Sequence, residues 1–358
     1  MRKLPAFLII ALIALSCTEK KPNYEDIGEI AKAYASKDQL NGSILIAQKN
    51  NIIYQESFGL ANIETNSKIT SSTLFPLGSV TKQFTATAIM ILQEKGMLSI
   101  DDKISKYMEV PPTLNDIPIK NFMNMTSGLF NYWENNVKNN KDSILKFHYE
   151  SEALYFPTNT KYHYNNSNYF FLGLLIESVS GMTYNDFLSQ NIFEPAGMSN
   201  TFLYEGNKCN KAIGYDETWN INDYLITTAD GGILSTIDNL FLWDKALSEN
   251  KILTSASKTL MFETSKLENG EINNYGFGWE INVTNENNSL FHSLFSKFLK
   301  DPKNDNKVVS HTGSLASFGA YNQYDVNNDY YIILLSNQLR PELMHLIKDI
   351  NSELYKTQ

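Results

Sequence analysis

Cysteine is nearly missing from this chain: of 358 residues only Cys17 and Cys209 carry a thiol. They form no Cys-x-x-Cys pair, and with five scattered histidines they give no ligand spacing for a zinc site. No metal and no organic cofactor is expected. Positive charge is scarce too. Thirty Lys and Arg stand against 39 Asp and Glu, a formal net charge of -9, and no basic stripe appears. Nucleic acid is therefore a poor partner, because its phosphates need neutralisation by Lys and Arg. There is no Gly-x-Ser-x-Gly, so a Ser-His-Asp hydrolase with a nucleophile elbow is unsupported, and no His-Glu-x-x-His, so a zinc protease is unsupported. Internal repeats and low-complexity tracts are absent as well. What remains is a chain with 42% hydrophobic and 19% charged residues, enough to bury a sizeable core.

One long apolar run stands out, Leu4 to Leu15, preceded by Arg2 and Lys3. A charged start and an apolar stretch of this length read as an export signal, too short for a membrane-spanning helix. The run ends in Ala14-Leu15-Ser16-Cys17, small residues before a cysteine, which resembles a bacterial lipoprotein cleavage site. The expectation is a signal peptide over 1–16, lipidation at Cys17, a polar tether over 17–26 and one folded domain over 27–358. The protein would then be exported to the cell envelope, facing the periplasm and held at a membrane by its lipid, for which the several chains of a lipoprotein suffice where one would not.

Within the domain, a helix is expected over about 25–36 and a hairpin from 42–47 and 52–58 around Lys49-Asn50-Asn51. Val80, Phe84, Ala88, Ile91 and Leu92 follow helical spacing, with Gly96 at the C-terminal end. A buried helix spans Tyr169–Val179 up to Gly181, and 230–247 reads as a Gly-rich turn feeding a helix capped by Asp238. Strands are expected at Tyr275–Ile281, Lys307–His311, Phe318–Tyr324 and Tyr330–Ser336, and a last amphipathic helix opens at Pro341. The segment 283–306 reads as a lid or a covering helix. Strands, helices, strands, helix in that order predict an α/β (α+β) fold. Its mainly antiparallel sheet is built from both chain ends, with a helical subdomain over roughly 80–225 inserted.

Three short motifs carry chemistry. In Ser79-Val80-Thr81-Lys82 a Ser and a Lys three apart project from one helical face, so the ammonium can reach the hydroxyl. Burial or a nearby positive charge lets the Lys accept a proton, and the helix start favours a developing negative charge. Ser143–Lys146, Ser248–Lys251 and Ser255–Lys258 share the spacing, but only Ser79 follows Leu77-Gly78 and opens an apolar helix. Among twenty tyrosines, Tyr164-Asn165-Asn166 is the one Tyr-x-Asn. A tyrosine beside cations loses its proton more easily and serves as a base, while Asn166 can orient the Lys and donate to a substrate carbonyl. The third motif is His311-Thr312-Gly313. The Gly permits close approach, Thr312 and His311 can contact a substrate carboxylate or the tyrosine, and the N–H of Ser314 is a natural second oxyanion donor. Taken singly, a polar loop before a helix and a strand end with a surface His are the plainer readings of the second and third motifs.

Together the three, in this order and at wide spacing, resemble the serine β-lactamase and penicillin-binding (DD-peptidase) family. The Tyr-x-Asn places the chain nearer the class C branch than the class A branch, which uses Ser-Asp-Asn. The likeness runs over roughly residues 27–355 and includes Phe75-Pro76-Leu77-Gly78-Ser79, Met125–Leu129, Ala229–Thr236 and Tyr275–Trp279. It implies an α/β sandwich with a helical subdomain and an active site between them. It also implies acylation of Ser79, proton handling by Lys82 and Tyr164, and an oxyanion held by the N–H groups of Ser79 and Ser314. The substrate would be an amide or ester such as a β-lactam, a D-amino-acid peptide or a small ester. One departure is His311, where many relatives have Lys: a His is only partly charged near neutral pH and suits a substrate carboxylate less well. Asn165, often Ser in the family, is expected to matter little. The competing reading is a non-catalytic binding protein of the cell envelope that keeps the fold. Oligomeric state is left open by the sequence.

Overall fold

The computed structural model describes residues 24–206, 210–226, 228–281 and 307–356. The export signal, Cys17, most of the tether, Cys209 and the 283–306 segment lie outside the described residues.

The chain begins with α1 (Tyr24–Ala35) and the hairpin β1 (Gly42–Gln48) and β2 (Asn51–Phe58). It returns at its end to β3 (Glu280–Ile281), β4 (Val308–Leu315), β5 (Phe318–Asp325), β6 (Tyr330–Ser336) and α6 (Glu342–Leu354). These strands form one antiparallel sheet in the order β3-β4-β5-β6-β1-β2, as the alternation of elements predicts. The first and last parts of the chain meet in its middle, where Gly42 pairs with Ser336 and Gln48 with Tyr330.

β1 and β6 read as unbroken apolar runs because both of their faces are covered. Successive side chains point to opposite faces. Ile44, Ile46, Ile332 and Leu334 therefore pack under α1 and α6, with Leu346, Ile347 and Ile350. Leu45, Ala47, Ile333 and Leu335 face the larger core on the other side. That core fills the space beneath α2 (Thr81–Glu94), α3 (Lys141–Tyr149), α4 (Asn166–Ser180) and α5 (Ile237–Ser248), joined by shorter helical turns and strands of two or three residues.

Several boundaries differ from the sequence reading for physical reasons. α5 is capped by Thr236, whose hydroxyl accepts from Asn239 N at 3.2 Å; Asp238 instead lies in the first turn, where its charge faces the positive end of the helix. In Tyr275–Ile281 only Glu280 and Ile281 join the sheet, because Gly278 (φ +79°) folds the segment back so that Tyr275 bridges Glu280. β4 runs on through His311-Thr312-Gly313 to Leu315 instead of stopping at His311. The residues Thr81 to Leu92 of α2 are buried all round, not on one face, and they include Lys82, Gln83, Thr85 and Thr87. Among the described residues no helix is long and apolar enough to cross a membrane.

Candidate active site

Ser79 sits in a short 3-10 turn (Gly78–Val80) that runs straight into α2, so Lys82 lies in the first turn of that helix. Gly78 has φ +51°, and a Cβ there would stand 2.7 Å from the backbone N of Ser314. The Ser79 turn and β4 are therefore in backbone contact. Gly313 tightens the same contact: a Cβ on it would come within 2.0 Å of the Leu77 carbonyl oxygen. Neither backbone can yield cheaply. Gly313→Ala is expected to cost about 1–3 kcal/mol of stability, as overpacking does, and to push Ser314 off the turn. Thermal unfolding and the rate of active-site acylation would measure the two effects.

The Lys82 ammonium is completely buried and makes three hydrogen bonds. Nζ donates to Ser79 Oγ at 2.9 Å, to Asn166 Oδ1 at 2.8 Å and to the Asp230 carbonyl at 2.8 Å. Burial pulls its pKa down to about 7, against the opposing pull of the Asp230 carboxylate. An amine that is half neutral near pH 7 and touches a serine hydroxyl can accept that hydroxyl's proton. The Asp230 carboxylate is turned away to accept from the Tyr132 hydroxyl at 2.8 Å. Its loop lies beside the Ser79 turn: a Cβ on Gly231 would stand in ordinary contact with the Gly78 backbone, 3.7 Å away, and would press on Ile226 Cδ1 at 2.7 Å.

α4 supplies the next groups. Asn166 opens the helix, which is what aims its side chain at Lys82. Asn165 is far from indifferent: its Oδ1 accepts from Ser167 N at 2.8 Å as the helix cap, and its Nδ2 donates to the Leu129 carbonyl at 2.6 Å. It fixes the geometry on both sides of it. The Tyr164 ring lies under the ammonium, with Nζ 5.0 Å from its centroid. Here the sequence reading needs correcting. Part of Tyr164 reaches solvent, yet its hydroxyl holds its proton well above the usual range, first because of burial and then because Glu280 and Asp230 oppose a phenolate, while the Ser79 bond works the other way. Lys82, not Tyr164, is the group placed to be unprotonated at neutral pH.

β4 closes the far side. His311 and Gly313 share the face toward the Ser79 turn, and the His311 ring stands 6.1 Å from that of Tyr164. Its Nδ1 lies 2.6 Å from the Thr312 carbonyl, which can only accept, so Nδ1 carries a proton. In the neutral ring Nε2 then accepts from the Tyr275 hydroxyl, 2.9 Å away. Thr312 does not join His311. Strand alternation puts it on the sheet face of its partner Tyr321, where it lines a small cavity with Leu343 and Met344 of α6. The Ser314 backbone N, by contrast, borders the Ser79 turn.

The structure thus brings together Ser79, Lys82, Tyr164, Asn166, His311, Gly313 and the Ser314 backbone, and puts the Thr312 side chain on the opposite face of β4 from His311 and Gly313. Sequence reasoning named the phrases around Asp230 and Tyr275 but not their roles, holding Lys82 and His311. A conspicuous acid and a conspicuous tyrosine inside Gly-rich phrases were the available signal. Among the described residues no group of three or more His, Cys, Asp or Glu gathers as a metal site.

A nucleophile, a buried amine and a strand-edge amide on this fold define a class, and comparison with known proteins agrees. The family model described as Beta-lactamase matches residues 29–353, and the chain belongs to that family of serine β-lactamases and penicillin-binding proteins. Penicillin-binding protein 4* of Bacillus subtilis (strain 168) is 30% identical over 343 residues, spanning 88% of this chain and 70% of its own. A beta-lactamase/D-alanine carboxypeptidase from Pseudomonas syringae superposes with a TM-score of 0.74 at 19% identity, covering 93% of this chain and 98% of that one. A D-amino acid amidase from Ochrobactrum anthropi SV3 does so with a TM-score of 0.74 at 17% identity, covering 92% and 99%. At these identities the two structures share the fold.

Proposed function

We propose that this protein is an exported, lipid-anchored serine hydrolase that works through an acyl-enzyme on Ser79. Neutral Lys82 takes the Ser79 proton as Oγ attacks the substrate carbonyl carbon. The N–H groups of Ser79 and Ser314 hold the oxyanion. Tyr164, a neutral phenol, passes a proton to the leaving nitrogen or oxygen as the carbonyl–leaving-group bond breaks, and Lys82 restores the phenol's proton. Water then hydrolyses the ester, its proton returning by the same groups. The observation that carries this reading is the 2.9 Å bond between Ser79 Oγ and a lysine whose pKa burial brings to about 7. A non-catalytic binder has no use for a buried amine of that kind.

The substrate we infer is an amide or ester of a D-amino acid, ahead of a β-lactam. An imidazole, unlike an ammonium, is only partly charged near neutral pH, so His311, whose ring meets the Tyr275 hydroxyl and the Thr312 carbonyl, suits a drug carboxylate less well than a Lys would. Of two fold relatives, one is named both for β-lactamase and for D-alanine carboxypeptidase and the other for D-amino acid amidase, which keeps D-configured substrates among the candidates beside β-lactams. The test is a kinetic panel on residues 18–358: a D-alanyl-D-alanine-terminated peptide, D- and L-amino-acid esters and amides, and benzylpenicillin. Turnover of a D-substrate over its L-epimer is the expected outcome. Turnover of benzylpenicillin alone would move the assignment to β-lactamase. For the anchor, Cys17→Ser is expected to shift the full-length protein from the membrane to the soluble fraction; an unchanged membrane fraction would contradict it.

A further inference from the structure

Gln83, next to Lys82 on α2, enters a second buried polar cluster with Asp244 on α5 and Asn322 on β5; the three are 0%, 2% and 0% exposed. Trp243 Nε1 donates to Gln83 Oε1 at 3.2 Å. Asn322 Nδ2 donates to Gln83 Oε1 at 3.1 Å and to Asp244 Oδ1 at 2.8 Å. One amide therefore ties the sheet to both helices. Yet Asp244 Oδ2, Asn322 Oδ1 and Gln83 Nε2 have no hydrogen-bond partner. Two of these are the oxygens left over on the two partners of a single bond.

A buried carboxylate without a cation is costly. The influences on the Asp244 carboxyl are its own burial, which raises its pKa, and the Asn322 bond, which lowers it. No Lys, Arg or His of the described residues is among them. The titratable group facing it is Tyr331 on β6, whose phenolate the Asp244 charge opposes. Burial prevails, and the carboxyl keeps its proton well above the usual carboxylate range. One proton on Oδ2 removes both faults. It cancels the charge, and it can donate to Asn322 Oδ1 while Asn322 Nδ2 goes on donating to Oδ1. Acid and amide are each planar, with one donor and one acceptor to offer the other.

We propose that Asp244 is a neutral carboxylic acid in a reciprocal acid–amide pair with Asn322, and that through Gln83 this pair is a positioning device for the helix carrying Lys82. Gln83 Nε2 is left as the one unanswered donor of the three. The catalytic half of the proposal rests on the hydrolase reading above; the protonation half does not, and its test needs no substrate.

The experiment is urea unfolding of wild type and Asp244→Asn from pH 5 to 8. An unfolded Asp titrates near pH 4. Above that pH the folded protein binds one proton more than the unfolded one, up to the raised folded pKa. Stability contributed by the group is thus present at low pH and lost as pH rises, tenfold in the unfolding constant per pH unit. Asn at 244 donates at every pH. The ratio of wild-type to Asp244→Asn unfolding constants is therefore expected to rise tenfold per unit, and the infrared band of a protonated carboxyl is expected in wild type and not in the variant. Asp244→Asn is also expected to keep the wild-type acylation rate at pH 7, where Asp244→Leu, which keeps the volume but loses the pair, slows it. A ratio flat with pH and no protonated-carboxyl band would overturn the proposal in favour of a hydrated, ionised Asp244. So would an Asp244→Asn chain that does not fold, since its amide reproduces the acid's donor.

Discussion

Lys82→Met is expected to slow acylation by about three orders of magnitude, within the range that general-base groups supply, while leaving the protein folded. The amine is the one group in contact with Ser79 Oγ that can be unprotonated near neutral pH, and it reaches that state because burial outweighs the Asp230 charge. Lys82→Arg is expected to fail equally, because a guanidinium does not give up its proton. The same argument fixes a pH dependence. Below about 7 the wild-type amine is mostly ammonium, and the fraction able to accept a proton grows tenfold per pH unit. Acylation therefore climbs with pH and levels off above about 7. Single-turnover acylation from pH 5 to 9 would read the profile. A rate flat across that range, with chemistry limiting, would contradict the role. Met leaves the Asn166 Oδ1 and Asp230 carbonyl acceptors without their donor, so the unfolding temperature is expected to fall somewhat, and a thermal melt of the variant checks that the fold survives.

Ser79→Ala is the second large effect: turnover should fall by roughly 10³-fold or more, as loss of a nucleophile does in other serine hydrolases. The hydroxyl accepts from Lys82 and caps neither the 3-10 turn nor α2. The unfolding temperature should therefore stay within a few degrees of wild type. Steady-state kinetics beside a thermal melt separates lost chemistry from lost structure.

The residues that were legible in the sequence are those with a local signature. β1 and β6 announced themselves as apolar β-branched runs, and the hairpin turns and Gly181 marked their own boundaries. Ser79 was singled out by the glycine before it and the helix after it, Tyr164 by its asparagines. What escaped was set by contacts distant in sequence. That Thr312 shares a sheet face with Tyr321 and not with His311 follows from the register of β4 on β5, which no local pattern encodes. That Asn165 is a cap with a second bond to Leu129 depends on a loop 36 positions away. The expectation of an easily ionised Tyr164 runs against its burial and the charges of Glu280 and Asp230, a property of packing and not of the motif. The Asp244–Asn322 pair joins positions 78 apart and was invisible for the same reason.

The most direct test of the central claim is intact mass and peptide mapping of residues 18–358 after quenched incubation with an activated D-alanine ester and, separately, with benzylpenicillin, beside Ser79→Ala. A covalent acyl adduct on the peptide containing Ser79, absent from the variant, is the predicted result. Substrate consumed equally by both proteins, or an adduct that maps elsewhere, would contradict it.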